Sequence, residues 1–207
     1  MIRTLVLAVA LLLASTGPAP AADALQRFVD EVRTFTAHFE QIQYDEDGGE
    51  LGRRSGRFSL ARPGRFDWHY EQPYEQHMVC DGERIWNYEP DLAQVTVRTA
   101  GDILRDTPVA LLAEGANLAE RFEVEPIAEG GDSGLRLRPK TDDADFRQIE
   151  LWLESSGTPT RMRLHDPLGG ISEIRFSDVV RNPKIDAGVF RFRPPAGVEV
   201  VNLDPAG

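Results

Sequence analysis

The sequence predicts a mainly β (α+β) domain: an antiparallel sheet of about ten or eleven short strands, with helical content at the N-terminus and one helical insertion near the middle. Three observations predict it. Apolar residues recur at every second position in many short runs, the period of a strand with one buried face. Gly-, Asp- and Ser-rich breaks separate the runs at hairpin spacing. Only two segments after the leader leave that rhythm, Asp23 to Arg33 and Thr107 to Gly115.

The first residues stand apart. Arg3 gives a positive start, Leu5 to Ala14 is apolar but too short to span a bilayer, and Ala19-Pro20-Ala21 is a small-residue cleavage site. The expectation is a signal peptide over 1–21 and a single domain over 22–207, exported and most simply periplasmic. Cys80 is the one cysteine, so no internal disulfide forms. It lies far from the cleavage site, so the mature chain is not expected to carry lipid itself, and it reads as an ordinary buried thiol. There are 34 acidic against 23 basic residues, a formal net charge of −11, and losing Arg3 makes it more negative. That argues against nucleic acid and against resting on an anionic membrane. No second apolar run approaches about 18 residues, so stable membrane insertion is not expected.

Asp23 to Arg33 reads as an amphipathic helix with Leu25, Phe28, Val29 and Val32 on one stripe, and Asp23 with Gln26 as a capping box. The stripe either packs on the core or lines a cavity. Thr34 to Tyr44 follows as a strand with Phe35, Ala37 and Phe39 on one face. After the turn Asp45–Gly49, Glu50 to Ala61 is a second strand, with Phe58 and Leu60 alternating.

Ser59 to Pro90 is the stretch that the rest is organised around. It holds two of the three tryptophans and three of the four tyrosines. Phe66, Trp68 and Tyr70 point one way; Arg65, Asp67, His69 and Glu71 point the other. Arg62 precedes the turn Pro63-Gly64. Asp81-Gly82, between His77–Cys80 and Glu83–Tyr88, reads as a type I′ hairpin turn. This much aromatic surface on one face covers either a packed core or a cavity.

Ala93 to Ala100 is another strand. Then Thr107 can cap a helix, Pro108 suits its first position and Gly115 its stop. The apolar residues between them make barely two turns, too short to stand alone in water, so this helix is expected across a face of the sheet. Strands resume at Phe122–Ile127 and around Leu135 and Leu137. In Gln148–Glu154, Ile149, Leu151 and Leu153 alternate with Glu150, Trp152 and Glu154. Strands around Met162 and Leu164 and over Ile171–Val180 follow, and the chain closes with Val189–Arg193, Pro194-Pro195 and Val198–Val201.

Catalytic chemistry is not written in these residues. His38, His69, His77 and His165 fall in no metal-ligand spacing, no nucleophile motif or phosphate-cradling loop is present, and no carboxylate stands on an apolar background. The chain reads as a binding protein, not an enzyme, with no metal and no cofactor expected.

Three segments carry a resemblance: Arg62-Pro63-Gly64-Arg65-Phe66-Asp67-Trp68-His69, then Asp81-Gly82 with Trp86 and Tyr88, then Phe190-x-Phe192-x-Pro194-Pro195-x-Gly197-Val198. Together, and in this order, the chain resembles the LolA family, the periplasmic carriers of outer-membrane lipoproteins. The resemblance implies an incomplete, cup-like antiparallel barrel whose hydrophobic cavity is closed by a lid of helices. It implies acylated lipoproteins as cargo, a Lol-type inner-membrane ABC transporter as donor and a LolB-type outer-membrane receptor as acceptor. By the same resemblance Arg62 is the residue that latches the lid through its backbone carbonyls. Phe66 and Trp68, with Tyr70, fall on the acyl-chain cavity wall. Val29 and Leu25 of the first helix line the same cavity. Pro108, Val109, Leu111 and Leu112 form the lid helix, with Val109 standing where many members carry a bulkier residue. The rival reading is a periplasmic lipid- or lipoprotein-sensing module on the same fold.

Overall fold

The computed structural model describes residues 20–101, 112, 118–141 and 146–204. Helix α1 (Pro20–Glu31) leads into β1 (Thr34–Tyr44), β2 (Glu50–Ala61), β3 (Arg65–Gln72), β4 (Gln76–Cys80), β5 (Arg84–Glu89) and β6 (Gln94–Thr99). A short helix α2 (Leu118–Arg121) precedes β7 (Phe122–Glu129), β8 (Asp132–Pro139), β9 (Gln148–Leu153), β10 (Pro159–His165), β11 (Ile171–Arg181) and β12 (Glu199–Asn202).

The twelve strands form one sheet in the order β12-β6-β5-β4-β3-β2-β1-β11-β10-β9-β8-β7. Its ends, β12 and β7, do not meet. Yet inward side chains as far apart as Ile85 on β5 and Phe122 on β7 belong to one buried cluster. Strands stand about 4.8 Å apart, so a flat sheet of this width would hold those residues tens of ångströms from each other. They share a core because the sheet curls into an incomplete, cup-like barrel. Helix α1 lies inside the curl and contacts β8 and β9.

Among the described residues the expected first helix and strands are present, with four corrections; the expected helix over Thr107 to Gly115 lies, except for Leu112, outside them. The helix begins at Pro20 rather than Asp23, so Asp23 lies in its first turn and Gln26 pairs with Asp30 (Nε2 to Oδ1, 3.0 Å) instead of closing a capping box. The Asp81 turn is not type I′: only Gly82 takes a positive φ, +102°. The Asp81 carboxylate instead accepts the N–H groups of Glu83 and Arg84, each at 2.8 Å. Val189–Arg193 is not a strand but a 3₁₀ turn followed by a strap over the outside of the cup. There Phe192 packs on Trp86 (5.9 Å between ring centroids), Tyr88 (5.8 Å) and His77 (6.0 Å). The strap brings the chain back in the direction of β6, so β12 joins in parallel, while every other pairing is antiparallel.

Two glycines are placed by sterics. A Cβ on Gly56 of β2 would lie 1.9 Å from the His69 carbonyl, so the close approach of β2 to β3 requires a glycine. A Cβ on Gly157, at φ +86°, would meet the Ala24 carbonyl at 2.3 Å; this turn is the seat of α1. The open edge β7 carries Glu123, Glu125, Pro126 and Glu129, residues that discourage pairing with another strand.

Candidate functional site

The concave face is the candidate site. Period-two alternation sends Phe35 and Phe39 of β1, Phe58 of β2, Phe66, Trp68 and Tyr70 of β3, and Phe176 of β11 to the inside. Their rings touch in series. Phe28 of α1 meets Phe35 edge-on at 5.6 Å; Phe35 meets Phe58 (6.0 Å) and Phe176 (6.2 Å). Trp68 lies 4.8 Å from Phe58 and 4.7 Å from Phe39, and Phe39 meets Tyr70 edge-on at 5.1 Å. Edge-to-face and tilted pairs of this kind add about 0.5–1.5 kcal/mol each beyond area burial.

The residues expected at the cavity come together here. Leu25, Phe66 and Trp68 are buried. Val29 and Tyr70 are half-buried and pack against the same cluster. Leu112 is fully buried in it, while Pro108, Val109 and Leu111 lie outside the described residues. Phe28, Phe39, Phe58 and Phe176 also belong to this face. Their alternation was visible in the sequence, but only strand order shows that they share a wall with Trp68.

The polar groups in the face are few and held. Tyr70 donates its hydroxyl to Gln41 Oε1 at 2.8 Å, and burial pushes its pKa above the ordinary phenol range. The Trp68 indole N–H is buried without a well-aligned acceptor; the Tyr70 oxygen is its polar neighbour.

Arg62 sits at the rim where α1 meets β1. Its Nε donates to the Val32 carbonyl at 2.8 Å, its backbone N–H donates to the Arg33 carbonyl at 2.9 Å, and its guanidinium lies 5.2 Å from the Phe28 ring. Burial, with a smaller contribution from Arg33, pushes its pKa down to about 10.

The convex face is charged. Glu150 and Glu173 are buried there under arginines: Arg136 reaches Glu150 at 2.8 Å, and Arg163 and Arg175 reach Glu173 at 2.5 and 2.7 Å. The Arg161 guanidinium covers Trp152 at 3.8 Å, which is why an outward-facing tryptophan is buried. Among the described residues no cluster of His, Cys, Asp and Glu has the geometry to hold a metal ion, and no helix is long and apolar enough to cross a membrane.

The inner face is thus apolar and aromatic, and the outer face carries the ion pairs of β8 to β11. Residues 30–193 match the family described as "Outer membrane lipoprotein carrier protein LolA". The chain belongs to the LolA family. It is 38% identical over 193 residues to the outer-membrane lipoprotein carrier protein of Nitrosospira multiformis, covering 93% of both chains. It is 38% identical over 184 residues to that of Dechloromonas aromatica, covering 88% of both. An uncharacterized conserved protein from Thermus thermophilus shares the fold at a TM-score of 0.54 and 14% identity, over 87% of this chain and 96% of that one. This is a family of carriers and not of enzymes, in keeping with the lack of a catalytic motif in the sequence.

Proposed function

We propose that this protein is a periplasmic carrier that takes the acyl chains of outer-membrane lipoproteins from an inner-membrane ABC transporter, shields them inside the cup and releases them to an outer-membrane receptor. The observation that carries this reading is the continuous aromatic inner wall in a chain of the carrier family. Its chemistry suits the task. Exposing an acyl chain to water costs roughly 0.8 kcal/mol per CH₂, on the order of ten kcal/mol for one long chain. Moving it from a bilayer into an apolar cup exchanges one dry site for another, so the carrier binds without holding on. Leu25, Val29, Phe66, Trp68 and Tyr70 form the wall, the segment containing Pro108 to Leu112 is the lid, and Arg62 is the latch.

The test is a loading assay. Mature protein is mixed with membranes that contain the transporter and a triacylated lipoprotein, ATP is added, and soluble one-to-one complex is measured beside a non-acylated control. Release of the acylated form alone is the expected result. Release of neither form overturns the carrier reading.

A further inference from the structure

The concave face changes character along its length. Near the α1 end its inward positions are Phe35, Leu60, Phe66, Cys80 and Ile85. At the opposite rim the same faces turn polar: Gln41 on β1, Arg54 on β2, Tyr70 on β3, Gln76 on β4, Asn87 and Glu89 on β5. Register places them side by side, with Gln41 opposite Arg54 and Tyr70 opposite Gln76.

These side chains form one hydrogen-bonded collar. Gln41 Nε2 donates to Ser172 Oγ of β11 at 3.4 Å, and Tyr70 donates to Gln41 at 2.8 Å. The Arg54 guanidinium lies 3.6 Å from the Tyr70 ring centroid, and its Nη2 donates to Gln76 Oε1 at 2.5 Å. Gln76 Nε2 donates to Asn87 Oδ1 at 2.8 Å, and Asn87 Nδ2 to Glu89 Oε2 at 3.3 Å. Solvating a rim requires no such chain of mutual bonds. A stacked arginine in the middle of one is a fixed donor, since the ring beneath it and the Gln76 bond set its plane. Its remaining N–H groups donate to no described residue and are not buried.

We propose that this collar is a subsite for the ester and amide carbonyls that join the acyl chains of the cargo to its polar head; the proposal rests on the carrier reading above. Acyl chains running along the aromatic wall toward α1 place their carbonyl ends at the apolar-to-polar boundary, beside Arg54. A carbonyl is an acceptor only, and the collar offers it guanidinium donors. A neutral carbonyl suits the site better than a phosphate or a free carboxylate, because Glu89 sets a negative charge in the same chain of bonds. The collar thus fixes how deep the chains enter and distinguishes acylated cargo from bare hydrocarbon.

The test compares Arg54→Met, which keeps a long stem on Tyr70 but removes the donors, with the unaltered protein. Two probes are used: a triacylated lipopeptide, and diphenylhexatriene, an apolar fluorophore with no head. The expected result is a loss of about tenfold in lipopeptide affinity with diphenylhexatriene binding unchanged, the scale of one charge-assisted hydrogen bond. Lipopeptide labelled with ¹³C at its ester carbonyls is expected to show a lowered carbonyl stretch in the unaltered protein and not in Arg54→Met. Equal lipopeptide affinity overturns the subsite, and a parallel loss of both probes shows a structural role instead. Tight diphenylhexatriene binding with no lipopeptide binding overturns the subsite and leaves the apolar interior standing. Binding of neither probe by the unaltered protein overturns the carrier reading and the subsite with it.

Discussion

Arg62 Nε lies 2.8 Å from the carbonyl oxygen of Val32, one residue beyond the end of α1. With its own N–H on Arg33, Arg62 ties the α1–β1 junction at two points. The tie forms where the chain leaves the inside of the cup for the sheet. A guanidinium near a helix C-terminus also meets the negative end of the helix dipole. Arg62 therefore anchors α1, which the sequence did not predict, at the rim where Pro63 and Gly64 neighbour Ala100 and Gly101 beyond the end of β6.

Arg62→Leu is expected to change fold stability by only about 1 kcal/mol, because the lost charge-assisted hydrogen bond is offset by relief of a buried charge. Transfer of cargo to the receptor is expected to slow, with complex persisting longer on the carrier. Unchanged transfer kinetics would remove Arg62 from the latch. The pH dependence has a definite sign. The folded pKa of about 10 lies below the ordinary guanidinium range, so the folded state binds fewer protons between the two. Stability from this group rises as pH climbs through that window and is constant below it. Denaturant titrations toward about pH 11 are expected to show the unaltered protein gaining on Arg62→Leu.

Trp68 is expected to report loading. It lies in the inner wall, whereas Trp86 faces the outer strap beside Phe192 and Trp152 is covered by Arg161 on the convex face. Its emission should shift when acyl chains enter, and Trp68→Phe should abolish the signal while Trp86→Phe keeps it. A full signal from Trp68→Phe would take Trp68 out of the wall.

The strands were legible because period-two alternation survives in nearly every one, and Phe66, Trp68 and Tyr70 name their own face. What could not be read was everything set by strand order. The β12 run is an ordinary strand in sequence; its parallel partner β6 follows from where the outer strap delivers it. Trp152 alternates with Glu150 as an outward residue would, and is buried because Arg161 and Arg163 come across from the neighbouring strand. Gln41, Arg54, Gln76 and Asn87 are unremarkable polar residues near separate strand ends, and only the register assembles them into a collar.

Gly157→Ala is expected to cost about 2–4 kcal/mol, measured as a lower urea midpoint at unchanged slope. The position combines a left-handed φ with a carbonyl of α1 in the space the methyl would take. Gly48→Ala is the control. It shares the left-handed conformation, φ +82°, but has nothing within 4 Å of the added Cβ, so it should cost only about 1–2 kcal/mol. Equal costs for the two would show that α1 does not rest on the Gly157 turn.

Glu173 contributes to the acid sensitivity of the convex face. Burial pushes its pKa up, but hydrogen bonds from Arg163 and Arg175 outweigh burial and hold the carboxyl below the ordinary glutamate range. The folded state therefore binds fewer protons than the unfolded chain as pH falls through the ordinary range. The stability from this group is fully present above the unfolded value and is lost as pH drops through the depressed folded one. Glu173→Gln is expected to cost about 1–3 kcal/mol at neutral pH, because Arg175 loses its carboxylate and Arg163 keeps only the more exposed Glu129. The cost should shrink as the solution is acidified, until the two proteins unfold at similar urea concentrations below the folded pKa. A difference that stayed constant from neutral to acidic pH would mean that Glu173 contributes by shape and packing, with its charge playing no part.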